Sequence, residues 1–465
     1  MGRAVRAGPV LVVVMTGVTP GSNVLARPGA GTSSTATAKP EALSDAGPEV
    51  GGAPAGRDAL EPNRLEWGLL PAVNYNTDLG VGIGAVGTLA AFEEGFNPYR
   101  WRLQATVFAS LRDQGDGIEA PLQSHGVEFD RPGFFDGVLR LGVWIGFNRQ
   151  SNAGYYGLGS NAPDETAERD LRPEATQYDR TFPEARATVR IRLWSRPVPV
   201  GKRRLELFVG TSIGYTWIEF FDDSRLALDA AQAAEGGRLG TLLRGLEDHA
   251  LWTLSTGLLW DTRDREFDPK RGAFHELSLR GSPGIDASLV FSGAALSLRW
   301  FVPVIRGRLT FATRSAVDVL MGDVPIYELS SLGAFDSVSA PGGGRSLRGV
   351  PLQRYHGKIK LLQSLELRGR IAPFRVAGQR FMAGAVAFVD TGRVWADARG
   401  GRVDVRRADG TVDVRDLDGG PFDFEVGVGA GARLRWGETF IIRFDFGYAP
   451  TLGTAGFYID IGDAF

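Results

Sequence analysis

The chain has 465 residues, no cysteine and a formal net charge of -2. The missing cysteine excludes disulfides, thiolate metal sites, a cysteine nucleophile and an acylated lipoprotein terminus, and the charge balance supplies no basic stripe for nucleic acid. Glycine, 63 of 465, is about twice the usual ~7%, which turns and small wall positions of one large sheet would use.

Arg3 and Arg6, an apolar run from Val10 to Met15 and a small-residue exit at Val24-Leu25-Ala26 predict a secretory signal peptide over residues 1-26. Residues 27-62 are rich in Ala, Gly, Pro, Ser and Thr without a period and read as a disordered linker. Beyond them no run reaches the roughly 18 uncharged apolar residues of a helical span. The longest candidate, near Leu289 to Ile305, is interrupted by Arg299. An exported chain of strands without such a helix points to an all-β fold over 63-465, a transmembrane antiparallel β-barrel of the bacterial outer-membrane type.

Alternation at period two places strands near 65-73, 79-90, 100-112, 119-130, 137-148, 177-194, 203-218 and 250-262. It continues near 272-282, 289-302, 308-320, 358-371, 380-391, 422-436, 439-449 and 456-464, about sixteen in all. In the 439-449 segment Phe440, Ile442, Phe444, Phe446 and Tyr448 oppose Ile441, Arg443, Asp445 and Gly447. An apolar face set against a charged, glycine-rich one predicts lipid on one side and a wet lumen on the other. The connections are an independent check. Those after even-numbered strands are short, whereas the long ones, near 149-176, 219-249, 321-357 and 392-421, all follow odd-numbered strands. Short periplasmic turns and long outer loops are what an outer-membrane barrel has.

Other signals carry less. Gly82-Ile83-Gly84-Ala85-Val86-Gly87 spells a dinucleotide fingerprint and Gly210-Thr211-Ser212-Ile213-Gly214 a nucleophile elbow, yet both fall inside strand alternation. His125, His249, His275 and His356 are too scattered for metal-ligand spacing. No nucleophile, base and orienter share a face, so no catalytic residue, metal or cofactor is expected. Trp101, Trp217, Trp260, Trp300 and Trp436 lie near strand ends, as interfacial girdle residues do.

Four pieces give the chain a resemblance to the BamA/TamA-type outer-membrane barrel superfamily, the bacterial surface antigen family. Gly344-Arg345-Ser346-Leu347-Arg348-Gly349-Val350 is similar to the family's arginine-glycine loop motif, with Val350 where an aromatic usually follows. Phe388-Val389-Asp390-Thr391-Gly392 matches its Phe-x-Asp-x-Gly element, with Glu366 on a neighbouring strand face beside Lys360, Ser364 and Arg368. Asp261-Thr262-Arg263-Asp264 with Pro269-Lys270-Arg271-Gly272 resembles a periplasmic turn of the family. Phe457, Ile459, Ile461 and Phe465 resemble the C-terminal signal by which such barrels are recognised for insertion.

The resemblance implies that the long loop 321-357 folds back into the lumen. Leu347, Arg348 and Gly349 would lie at its tip, and Arg348 would pair with Asp390 and Glu366 on the wall beside Gly392. One arginine would pin the loop at one place, since a guanidinium offers bidentate donors to carboxylates. It also implies a role in outer-membrane protein assembly or polypeptide translocation, with the bilayer, client barrels and periplasmic accessory proteins as partners. The family's periplasmic POTRA repeats are each larger than the 27-62 stretch, so a POTRA-less monomer is expected. A passive pore and a structural surface barrel without a client remain the alternatives.

Overall fold

The computed structural model describes residues 63–94, 99–113, 117–161, 173–197, 202–222, 224–265, 268–286, 289–376, 379–406, 412–436 and 440–465. The signal peptide and linker expected over 1-26 and 27-62 lie outside the described residues. Sixteen strands close into an antiparallel barrel. The first eight are β1 Arg64–Asn76, β2 Gly80–Phe92, β3 Trp101–Asp113, β4 Leu122–Gly133, β5 Leu139–Gly154, β6 Gln177–Pro197, β7 Lys202–Phe220 and β8 His249–Asp261. The second eight are β9 Gly272–Ser282, β10 Phe291–Ile305, β11 Leu309–Gly322, β12 Ile359–Val376, β13 Gln379–Trp395, β14 Glu425–Trp436, β15 Phe440–Ala449 and β16 Thr454–Ile461. The two motif look-alikes lie within β2 and β7.

Alternation decides which side chains face lipid. In β7, Val209, Ile213 and Trp217 are exposed on the outer wall, whereas Phe208 and Thr216 point inward and are buried. In β15, Phe446 and Tyr448 are exposed while Ile441, Arg443 and Asp445 are buried. Each strand pairs with its sequence neighbour, so every ladder is local in topology and only the closure joins distant parts of the chain. That closure is sparse. β1 pairs with β2 from Arg64 to Asn76, but with β16 only at Tyr75–Ile459 and Asn76–Tyr458. Thr77 extends the contact by one step, its backbone N–H donating to the Phe457 carbonyl at 3.2 Å.

Turns such as 134–138 and 306–308 mark one end, and the long connections between β5 and β6, β7 and β8, β11 and β12, and β13 and β14 the other. The long connections pack on one another into a cap. Its core joins Tyr155 and Leu158 to Leu226 and Leu242 of the helices Arg225–Ala234 and Gly237–Leu242, to Ile326 and Tyr327, and to Val403 of the hairpin Arg402–Arg406/Val412–Asp416. Ser224 caps the first helix, its hydroxyl accepting from the Ala227 N–H at 3.2 Å.

His356 lies within this cap, fully buried, with the ring of Tyr155 edge-on at 5.2 Å. Burial and the nearby Lys360 cation push its pKa down to about 3. A folded value below the unfolded ~6.5 means that stability is full above pH 6.5 and is lost as pH falls from there toward 3, by on the order of 1.4 kcal/mol per pH unit. Protease resistance of the cap is therefore expected to decline on acidification through pH 6 to 4. His356→Phe, which keeps a ring against Tyr155, should flatten that decline; an identical pH profile in the variant would show that His356 is not the sensor.

Candidate functional site

The loop 323–358 enters the barrel and lays its tip against β13 to β16. Arg348 reaches the wall between these strands and is 1% exposed, as is Glu366, while Asp390 and Asp445 are at 0%. Its Nε and Nη2 donate to the two carboxylate oxygens of Asp390 at 2.7 and 3.0 Å, and its backbone N–H adds a third bond to Asp390 at 3.2 Å. Nη1 donates to Asp445 at 3.1 Å and lies 2.8 Å from Glu366 as an ion pair, off the hydrogen-bonding direction. The Phe388 ring covers the guanidinium at 3.4 Å.

These carboxylates are shared. Arg368 donates to Glu366 at 2.7 Å, and Arg433 to Asp445 at 2.5 Å. Alternating fixed charges in a dry site satisfy one another only as a set, so removing one member strands the rest. Lys360, Ser364, Glu366 and Arg368 do share one inward face of β12, all of them buried.

Backbone fit complements the charges. Gly349 adopts φ +94, and a Cβ there would meet the Tyr448 backbone at 2.7 Å. Across from it, a Cβ on Gly427 would lie 2.1 Å from the Arg348 carbonyl oxygen, and one on Gly447 would lie 2.7 Å from the Gly349 nitrogen. The tip therefore sits in a trough that exists because β14 and β15 carry glycine at these two inward positions. Leu347 and Val350 are wholly buried with Tyr355, Val394, Ala449 and Leu452, so valine fills the place of the aromatic by packing into an apolar cluster. Gly392 faces Pro341, to which an added Cβ would approach within 3.2 Å. Toward the seam, the Tyr458 hydroxyl accepts from the Gly349 N–H at 3.2 Å, and Thr454 donates to the Gly349 carbonyl at 2.7 Å.

A family model described as the Omp85 superfamily domain matches residues 121–465. The chain belongs to the Omp85 superfamily. Its fold is similar to the crystal structure of BamA from Haemophilus ducreyi lacking POTRA domains 1-3, with a TM-score of 0.53 at 14% identity over 86% of this chain and 70% of that one. CdiB from Acinetobacter baumannii aligns with a TM-score of 0.43 at 13% identity, over 86% of this chain and 66% of that one. No curated protein matches the chain in sequence. Among the described residues this Omp85 barrel has no POTRA repeat.

Two expectations need correction. The loop of the Omp85 barrel is held along its length, not at one arginine. Glu276 accepts from the backbone N–H groups of Ala334, Phe335 and Asp336 at 3.2, 2.9 and 3.3 Å, while Arg299 pairs with Asp336 at 2.5 Å. Asp318 holds Arg280 at 2.6 Å, Lys360 at 3.4 Å and the Gly333 N–H at 2.9 Å. Partners 15 to 60 residues apart leave no local pattern, which is why these anchors escape a sequence reading.

The four residues read as an insertion signal also do not share a surface. Phe457 is 39% exposed on the outer wall and Ile459 is half-buried. Ile461 closes β16 in register with Ile442. At Gly462 the backbone turns with φ +90, and Phe465 ends inside the barrel with the guanidinium groups of Arg368 and Arg314 at 4.9 and 5.1 Å from its ring. Asp463 accompanies it inward, pairing with Arg368 at 2.9 Å. A glycine in the left-handed region breaks the alternation that a continuous strand would have kept.

The lumen is thus of two kinds. Where the loop tip meets β12 to β16 the charged wall groups are buried, whereas the expectation was a wet wall throughout. Beside β4 to β9 a cavity of about 540 Å3 remains, lined by Arg140, Arg186, Arg190 and Arg299 with Glu128, Trp144, Phe208 and Phe335.

Proposed function

We propose that this barrel serves outer-membrane protein assembly or polypeptide translocation, acting through its seam and the lumen behind it. The observation that carries the reading is the seam: β16 pairs with only the last residues of β1, so the outward Leu65, Trp67 and Leu69, each more than half exposed, sit on a strand edge that has no strand partner among the described residues. An edge strand with free backbone groups is a template for another strand, and here it faces lipid, where a nascent barrel strand would otherwise leave its own groups unsatisfied. The superfamily membership supports the general role, and the particular client is part of the proposal.

The test is reconstitution of the full chain in liposomes and measurement of the folding rate of an added client barrel. Acceleration over an unrelated barrel of similar size is expected, and equal rates would remove the reading. A passive pore fits less well with the cap of packed loops over one end. In planar bilayers low, flickering current is expected, whereas a large steady current would favour the pore.

A further inference from the structure

The periplasmic turns are not alike in charge. Three of them, β6–β7, β10–β11 and β12–β13, carry arginines and no acid: residues 195–204, 300–310 and 367–384 contain neither Asp nor Glu. Arg196, Arg203, Arg306, Arg308, Arg375 and Arg380 are all exposed, and none has an ion-pair partner among the described residues. The β2–β3, β4–β5 and β8–β9 turns carry paired acids instead, with Asp261 holding Arg263 at 3.0 Å at the last of them. Glu93 pairs with Arg100 in the β2–β3 turn at 2.5 Å, and Asp130 with Arg140 beside the β4–β5 turn at 2.6 Å.

The three basic hairpins are built the same way. Each strand that leads into one of these turns has a register shift just before it, at Arg192/Trp194, Pro303/Ile305 and Arg370/Ala372. A bulge adds a residue and bends the hairpin, and beyond it consecutive side chains are exposed, Leu193 with Trp194 and Val304 with Ile305. The hairpin ends therefore stand clear of the wall with apolar and cationic groups side by side.

Their depth is set by aromatic rings. Trp194 stacks on Trp260 at 5.7 Å, Phe374 stacks on Phe381 at 5.4 Å, and Trp300 meets His275 at 4.9 Å. Outward aromatic rings at strand ends mark the headgroup level, and the arginines lie next to this girdle or a few residues beyond it. In strand order the three hairpins span β6 to β13, the half of the wall across the barrel from the β1–β16 closure.

We propose that this arc of arginines is a binding surface for anionic phospholipid headgroups of the periplasmic leaflet, and that it fastens the wall opposite the seam while the seam side is left without such a hold. Unpaired guanidinium groups offer bidentate donors to phosphate, and cations at an anionic surface each add attraction that fades within a Debye length. Apolar side chains flanking every arginine pair favour a lipid over the acidic face of a water-soluble partner. The proposal rests on the barrel spanning a bilayer and is independent of the assembly role.

The test uses the full chain in nanodiscs of phosphatidylcholine mixed with phosphatidylglycerol, with the lipid retained on the extracted protein measured by mass spectrometry. Enrichment of phosphatidylglycerol by roughly tenfold is expected, falling as salt is raised. It should be abolished in R196Q/R203Q/R306Q/R308Q/R375Q/R380Q and largely kept in the corresponding lysine variant. Should the sixfold variant fail to fold, R306Q/R308Q alone should lose a measurable part of the enrichment. Equal retention of the two lipids, or enrichment that neither salt nor substitution changes, overturns the proposal. So does a variant that keeps its lipid but loses binding to polyglutamate, which would assign the arc to an acidic polypeptide.

Discussion

Arg348→Ala is expected to release the loop tip and destabilise the folded barrel by ~3–5 kcal/mol, the cost of leaving buried charges without their partner. Asp390 would lose both side-chain donors of the guanidinium and keep only the backbone N–H of residue 348, and Asp445 and Glu366 would keep only their arginine neighbours. Two readings check it: a lower unfolding temperature in detergent, and new protease cleavage within 323–358 while the strands stay intact. Arg348→Lys should restore little, because a single ammonium cannot span Asp390 and Asp445 as the planar fork does. Cleavage and unfolding both unchanged from the parent would mean that the tip is held without this set.

Gly427→Ala and Gly447→Ala should produce the same release with every charge in place. The added methyl groups would fall 2.1 Å from the Arg348 carbonyl oxygen and 2.7 Å from the Gly349 nitrogen, and these are backbone atoms that cannot rotate away. Overpacking of this kind costs about 1–3 kcal/mol, occasionally more, and the cheapest relief is for the tip to lift off. Cleavage within 323–358 is the readout, with Gly214→Ala on β7 as a comparison whose nearest clash is with the Pro183 carbonyl and Glu184 of the neighbouring strand. If the two trough variants resist protease as well as the parent does, the glycines are wall and not seat.

Much of this was legible in the chain because period two is a strong signal when one face meets lipid. Strand number, parity and the end that bears the long loops all follow from it, and the ladders run between sequence neighbours as a meander requires. Arg348, Glu366 and Asp390 were singled out by a motif resemblance, and the structure brings them together. Asp445 was visible only as one inward charge among many, since Arg433, Arg435 and Arg443 share its face and nothing local marks which of them meets the loop. The trough shows the same limit: Gly427 and Gly447 read as small wall residues until the tip is seen resting on them. The inward turn of Phe465 was not legible, because alternation says nothing beyond Gly462, where the backbone leaves the strand.

The tip touches Asp390 on β13, Gly427 on β14, Asp445 on β15 and Tyr458 on β16, so one short peptide rivets four consecutive staves into a stiff panel. Widening of the barrel at its joint would have to swing that panel whole or shear the rivet. The yielding stave is therefore β1, whose residues before Tyr75 have no strand partner but β2 among the described residues.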